Sequence, residues 1–263
     1  MAQRSSTRSG GTVLKVVLIV LAVLIVLAVV AEIVLRMFVA GQIRSGYQEE
    51  NPEVNAQEDV DISFGAVPLL FGIASGKINE FSLRTPSTLQ IDGDNVSGAP
   101  AADVNLDGVT LDDSMTADSM VVTSEIPQDY LLATIRKQIA ENVPADAGPL
   151  AEHLTVTNLT ANPEAGALDV EFVHGAAVLT LTPIQQDGQL TFAASGGEIL
   201  GFALPASVTE QITQTLQDGV AGQLDTNGMR IENLEVIDGG VRTTLTGQNI
   251  PLRQLNEATQ PAA

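Results

Sequence analysis

The chain of 263 residues has no cysteine and no tryptophan, and only seven phenylalanines and two tyrosines. Without cysteine it can form no disulfide, no thiolate nucleophile and no cysteine-ligated zinc or iron–sulfur site. Basic residues are also few, since 12 Lys and Arg stand against 32 Asp and Glu, for a formal net charge of −20. An acidic chain without a basic patch cannot neutralise a phosphate backbone, so nucleic-acid binding is excluded.

The charge is distributed unevenly along the chain. Residues 1–40 hold one acid, Glu32, and four basic residues, Arg4, Arg8, Lys15 and Arg36. The remainder therefore carries 8 basic and 31 acidic residues, a net charge of −23.

A long apolar run lies between these two parts. Every residue from Val16 to Ala31 is apolar, and as a helix this run covers roughly 24 Å, which a snorkelling Lys15 extends to the ~30 Å of a bilayer core. We predict a cytoplasmic basic tail over 1–12 and a transmembrane signal anchor over 13–40. The positive-inside rule then predicts a single-pass protein of the cell membrane, with the N-terminus cytoplasmic and the bulk extracytoplasmic. A cleaved secretory signal is the alternative, and it also exports the body.

The body is predicted to be α+β. Residues 41–59 are polar and acidic, with Gly46 and Pro52 as breakers, which indicates a juxtamembrane linker or a fraying helix end. The folded domain spans 60–251 and a polar tail 252–263. Period-2 alternation with Gly, Asp and Asn turns predicts antiparallel sheet with one buried face. Helical spacing predicts amphipathic helices over 127–143 and 205–219 and a short apolar helix over 68–74 that Gly76 ends.

Two stretches, 156–172 and 231–245, share the pattern apolar-x-Asn-Leu, a turn with glycine, and a second alternating strand. They predict a hairpin used twice, and the segment 104–111 predicts a shorter version whose turn is Asp107-Gly108. The same segment invites a calcium interpretation, because Asp103, Asn105 and Asp107 match the first ligand positions of an EF-hand loop. Ser114 stands where the bidentate Glu should be, so the hairpin interpretation is favoured and no metal is predicted.

Signals of catalysis are scarce. The two histidines, His153 and His174, lie 21 residues apart and have no third ligand or activated nucleophile beside them in sequence. The many carboxylates offer no pair that spacing can single out. We therefore predict neither an enzyme nor a cofactor, although a hydrolase that uses carboxylates remains a weaker alternative.

The order of motifs resembles a known family. Four segments carry the resemblance: residues 61–87 (DISFGAVPLLFGIASGKINEFSLRTPS), the 127–143 helix, FALPASVTEQITQTL and GMRIENLEVIDGGVRTTLTGQNIPL. Over about residues 55–251, the chain resembles the LmeA family of actinobacterial cell-envelope phospholipid-binding proteins. The resemblance implies a curved antiparallel sheet wrapped on helices, similar to tubular lipid-binding folds, with an apolar groove for acyl chains. It also implies an association with lipomannan elongation.

The function expected from the sequence is a membrane-anchored, extracytoplasmic phospholipid-binding protein that supports lipoglycan synthesis. The alternative is a ligand-free scaffold that docks an envelope enzyme, such as a glycosyltransferase. The expected groove lining consists of the apolar stripes of the three helices: Leu69, Leu70, Phe71, Ile73, Leu131, Leu132, Ile135, Ile139, Val208, Ile212 and Leu216. The cations available to meet a phosphate headgroup are Lys77, Arg84, Arg136 and Lys137.

Overall fold

The computed structural model describes residues 10–142, 156–172, 175–186, 189–199, 202–203 and 228–253. The predicted helix over 205–219, with Val208, Ile212 and Leu216, lies outside these residues, as do both histidines. The described part is a mixed α+β structure with one strongly curved, unclosed antiparallel sheet, as predicted. Its helices are α1 (Gly10–Glu50), α2 (Ala56–Asp59), α3 (Leu69–Ser75) and α4 (Gln128–Asn142).

The strands are β1 (Asp61–Phe64), β2 (Lys77–Thr85), β3 (Gln90–Asp92), β4 (Asn95–Ser97), β5 (Ala102–Thr110), β6 (Thr116–Pro127), β7 (Val156–Asn162), β8 (Ala167–Phe172), β9 (Ala177–Gln186), β10 (Gln189–Ile199), β11 (Phe202–Ala203), β12 (Met229–Ile237) and β13 (Gly240–Pro251). A six-stranded sheet has the order β1-β2-β5-β6-β13-β12, and a five-stranded sheet the order β11-β10-β9-β8-β7. All of these pairings are antiparallel. The small hairpin β3–β4 stands apart from both sheets.

Helix α1 is longer than the sequence pattern predicts. Gly46, expected to break regular structure, lies inside the helix, which ends only at Glu50, two residues before Pro52. Its second half packs against the body through a stripe of apolar residues spaced four apart, Leu35, Val39, Ile43 and Tyr47. The stripe meets a buried cluster that includes Val60, Ile62, Phe64 and Leu69. Burial along this stripe offsets the low helix propensity of Gly46.

The two hairpins that share the apolar-x-Asn-Leu pattern are confirmed as β7–β8 and β12–β13. The strand pairing shifts between Val156 and Asn158 in the first hairpin and between Ile231 and Asn233 in the second. Each shift is a β-bulge at the same place in the pattern. A bulge increases the local twist of a strand, so the repeated motif adds local twist at the corresponding position of each hairpin.

The third hairpin prediction is wrong, because Asp107-Gly108 is not a turn. Both residues lie within β5, and the chain reverses after Thr110, over residues 111–115. Gly108 has φ of 63° and drops out of the pairing with β6, where Asp107 faces Ser119 and Val109 faces Ala117. The register is the same on both sides of Gly108, so no residue is inserted, and the strand continues through a position that needs glycine for its backbone angle. A local Asp-Gly signal cannot by itself tell such a strand position from a turn.

The short helix α3 forms as predicted. Pro68 precedes it, and Gly76 ends it with φ of 76°, donating its N–H to the carbonyls of Gly72 and Ile73. Gly72 lets the helix lie against β2, because a Cβ at that position would stand 2.9 Å from the carbonyl oxygen of Lys77. Helix α4 is also confirmed, and it begins one residue after Pro127, which closes β6.

Candidate functional site

The six-stranded sheet has one polar and one apolar face. On the polar face, salt bridges and hydrogen bonds join neighbouring strands: Arg84 with Asp103, Ser82 with Asn105, Ser119 with Asp107, and Arg242 with Glu125 and Glu235. Two shallow concavities of about 420 and 410 Å³ lie over this face. Charged and hydroxyl side chains dominate their linings, so they are unsuited to hold an acyl chain.

The apolar face carries a row of five residues at one level, Leu83, Val104, Val122, Leu245 and Ile231, which we call the central belt. Strand pairing sets each against the next: Leu83 with Val104, Val104 with Val122, Val122 with Leu245, and Leu245 with Ile231. Directly paired residues share a face of the sheet. The belt therefore crosses β2, β5, β6, β13 and β12 without interruption, over roughly 19 Å at ~4.8 Å between strands.

All five belt residues are only half-buried. Fully buried residues lie on either side of the belt along the strands. Leu106, Val109 and Ala117 form one buried cluster, and Val236 and Val241 belong to another that also includes the inner face of the five-stranded sheet. Among the described residues, the apolar face of the sheet is thus fully buried at its two ends and only partly buried in the middle. Partly exposed aliphatic side chains across five adjacent strands form the kind of apolar surface that a hydrophobic ligand can cover.

The predicted lining residues of α4 lie beside this face. Leu131, Leu132 and Ile135 pack against the buried cluster that joins the five-stranded sheet to β12 and β13. The side chain of Ile139, in the last turns of α4, is outside the described part. Arg136 donates hydrogen bonds to the carbonyl oxygens of Val156 (2.7 Å) and Thr157 (2.6 Å), which fastens α4 to the first residues of β7.

The predicted lining residues of α3 are located elsewhere. Helix α3 packs against α1 and β2. Leu69 is buried there, whereas Leu70, Phe71 and Ile73 are exposed to 39%, 65% and 49% and face away from the domain. Helices α3 and α4 therefore present their apolar stripes to different surroundings, α4 to the sheet core and α3 to the exterior.

The four cations predicted for headgroup binding are spread over two elements. Lys77 and Arg84 lie on β2 and form ion pairs with Asp118 and Asp103 across the strands. The hydrogen bond from Arg84 to Asp103 raises the pKa of the Arg84 guanidinium. Arg136 holds α4 to β7, and Lys137 follows it as an exposed residue. The structure does not bring these four residues together at a single headgroup site.

The residues of the calcium interpretation lie on one strand. Asp103, Asn105 and Asp107 alternate along the polar face of β5, and each bonds to a side chain of a neighbouring strand. Such a straight row lacks the curvature of an EF-hand loop, whose ligands converge on one point. Among the described residues there is no group of three or more His, Asp or Glu side chains that could hold a metal ion.

A polar connection that the sequence pattern did not reveal fixes α3 to α1. Glu32 accepts hydrogen bonds from the backbone N–H groups of Leu69 (2.7 Å) and Leu70 (3.0 Å), and it pairs with Arg36 at 2.6 Å. Arg36 in turn donates to the carbonyl oxygens of three residues in the segment before α3, namely Phe64, Gly65 and Val67. We call these two residues the Glu32–Arg36 latch. The only sequence signal was an i, i+4 acid–base pair in an apolar helix, and its long-range partners could not be deduced from spacing.

These features define a class of protein: an α+β domain with a partly exposed apolar sheet face, attached to a helix whose part Val20–Glu50 contains an 18-residue window of mean hydropathy 2.7, long and apolar enough to cross a membrane. The family model of LmeA-like phospholipid-binding proteins matches residues 26–246, and the chain belongs to that family. Searches of curated proteins and of solved structures gave no match.

Proposed function

We propose that this protein is a membrane-anchored, extracytoplasmic phospholipid-binding protein that holds acyl chains along the central belt. The observation that carries the proposal is the belt itself, a continuous row of five only partly buried aliphatic residues between two buried clusters. Membership of a phospholipid-binding family supports it independently.

Binding of this kind needs area and no reactive group. Each methylene transferred from water to an apolar surface contributes ~0.8 kcal/mol to the binding free energy. Burial of ten methylenes of an acyl tail therefore contributes ~8 kcal/mol, before the cost of ordering the tail is subtracted. The body is strongly acidic, and three of its candidate cations already have carboxylate or carbonyl partners. Recognition in this proposal therefore rests on the tails, and no catalytic step is part of it.

The proposal places α1 across the membrane as a retained anchor, with the N-terminus in the cytoplasm. The contacts of its second half support retention. Signal cleavage near Ala40 would remove Glu32, Arg36 and Val39, together with their hydrogen bonds and packing to the body. Loss of these groups would leave the backbone N–H groups of Leu69 and Leu70 unpaired and expose the buried cluster around Leu69.

The biological setting included in the proposal is cell-envelope lipoglycan synthesis, with an envelope glycosyltransferase as the partner that the bound lipid serves. The family resemblance of the sequence motifs supports this setting. Lipomannan chain length in cells that carry a belt variant, compared with cells that carry its matched control, tests it.

The experiment on lipid binding compares two adjacent residues on opposite faces of β6. Val122→Trp fills the belt, whereas Thr123→Trp adds the same side chain on the polar face. The full-length variants are purified in a mild detergent, and bound phospholipid is counted by native mass spectrometry. We expect wild type and Thr123→Trp to retain phospholipid and Val122→Trp to lose most of it, with unfolding midpoints showing that both variants are folded.

Two results would contradict the proposal. Wild-type protein without phospholipid, and without uptake from vesicles, would favour the ligand-free scaffold that docks an envelope enzyme. Equal lipid occupancy in the two tryptophan variants would show that the lipid lies away from the belt.

A further inference from the structure

The large exposed apolar side chains of the body are concentrated at one end. Outside α1, the described residues include eight such side chains. Six of them lie on α3 or beside it: Val67, Leu70, Phe71, Ile73, Leu111 and Met115. The backbone N–H of Leu111 donates to the carbonyl oxygen of Gly76 (2.9 Å), which joins the β5–β6 turn to the end of α3. A contiguous exposed apolar patch indicates an interaction surface.

The Glu32–Arg36 latch determines where this end lies along α1. Side chains of a helix point towards its N-terminus, so the carboxylate of Glu32 lies at or before the level of its own Cα. The first N–H groups of α3 are therefore held at about the level of residue 32. Arg36 binds carbonyl groups of the segment that precedes α3, and these hydrogen bonds hold that segment at or before the level of residue 36 along α1.

The opposite side of α1 remains apolar beyond that level. Val34, Met37 and Phe38 are exposed to 60%, 70% and 63% and continue the apolar surface of the helix. Phe38 lies six residues past Glu32, or roughly 9 Å further along the helix axis. A bilayer that covers Phe38 on one side of α1 therefore also reaches past the start of α3 on the other side.

We propose that α3 is inserted into the outer leaflet of the membrane that α1 crosses, with Leu70, Phe71 and Ile73 among the acyl chains. This inference rests on the anchoring part of the proposed function, and it adds a second membrane contact at a defined depth. The latch satisfies the backbone N–H groups at the start of α3 that would otherwise be unpaired in an apolar medium. Helix α3 leads directly into β2, which carries the first belt residue, Leu83, so one strand connects the inserted end of the domain to the belt.

The natural absence of tryptophan allows a single reporter to be placed at each point of interest. Three full-length variants are reconstituted in phosphatidylcholine vesicles whose acyl chains carry bromine, a quencher of tryptophan fluorescence. Phe71→Trp tests α3, and Val26→Trp reports on the spanning helix. Ile91→Trp is the matched body control: Ile91 is exposed on β3, whose Gln90 bonds to Glu53 beyond the far end of α1.

We expect brominated lipid to quench Val26→Trp and Phe71→Trp at least twofold, with iodide in the buffer ineffective. Ile91→Trp should show the reverse behaviour. Quenching of Phe71→Trp by iodide while Val26→Trp is quenched by lipid would overturn insertion and leave anchoring intact. Protection of Phe71→Trp from both quenchers would mean that a protein surface covers α3, which also overturns it. Failure of lipid to quench Val26→Trp would contradict the anchor itself.

Discussion

The Glu32–Arg36 latch gives the most direct quantitative prediction, for the variant Glu32→Ala. The substitution removes the acceptor of two backbone N–H groups of α3 and the partner of Arg36. The Glu32 side chain is only 15% exposed, so solvent replaces these bonds poorly. A hydrogen bond to a charged group contributes about 1.5–3 kcal/mol. Because water or detergent headgroups recover part of that at a helix N-terminus, we expect α3 to lose about 2–4 kcal/mol of its docking free energy.

Hydrogen exchange measures this loss directly, since the amides of Leu69 and Leu70 are the two donors. At 1.4 kcal/mol for each factor of ten, exchange over the peptide that spans 66–76 should accelerate about 30- to 700-fold. Glu32→Gln keeps one neutral acceptor and should fall between the variant and wild type. Glu50→Ala, at the exposed end of the same helix, is the control. If the exchange rate of the α3 amides in Glu32→Ala is within twofold of the wild-type rate, the latch does not hold α3 in place.

Two further predictions concern the body. Arg136→Gln removes both charged hydrogen bonds from α4 to β7, so the free energy of unfolding measured by urea titration should fall by about 2–4 kcal/mol. Phospholipid occupancy should stay unchanged. Loss of bound lipid without loss of stability would contradict this and make Arg136 a headgroup ligand. In the β5–β6 turn, hydrogen bonds from Ser114, Thr110 and the Met115 N–H lower the pKa of the Asp112 carboxyl from its ordinary 3.8. A lowered folded-state pKa gives stability that is present above 3.8 and lost as the pH falls through the lower value. Asp112→Asn should therefore melt at a lower temperature than wild type at neutral pH and approach it in strong acid; a pH-independent difference would contradict this.

Local patterns in the sequence were sufficient for much of the fold. Alternation predicted the strands of both hairpins, and helical spacing predicted α3 and α4, because these signals depend on residues only two to four positions apart. Gly46 and Gly108 were misjudged for a common reason. In each case the surroundings decide the outcome. Packing of Ile43 and Tyr47, on either side of Gly46, against the buried cluster keeps Gly46 helical, and continued pairing with β2 and β6 keeps Gly108 within a strand.

The site was less predictable than the fold. The apolar helix residues were identified as apolar, but the sequence could not say that Phe71 faces outward while Leu131 faces the sheet core. The belt was hidden for a related reason. Its members are ordinary inward residues of five strands, and only the register that aligns Leu83 with Val104 and Val122 makes them one surface. Register across distant strands, here between β6 and β13, is set by the tertiary structure and has no local signature.

The unbroken α1 also decides how far the domain can travel. A disordered segment over residues 41–59 would have allowed the body to wander by roughly 24 Å, at 5–6 Å times the square root of its length. The helix instead continues to Glu50, and Gln48 binds the backbone N–H of Ala56 at 2.9 Å just beyond its end. In the proposed function, with α1 as the membrane anchor, this helix holds the domain at a fixed distance from the membrane. A partner that exchanges lipid with it would then have to come to the membrane surface, where lateral diffusion in two dimensions would govern how often the two meet.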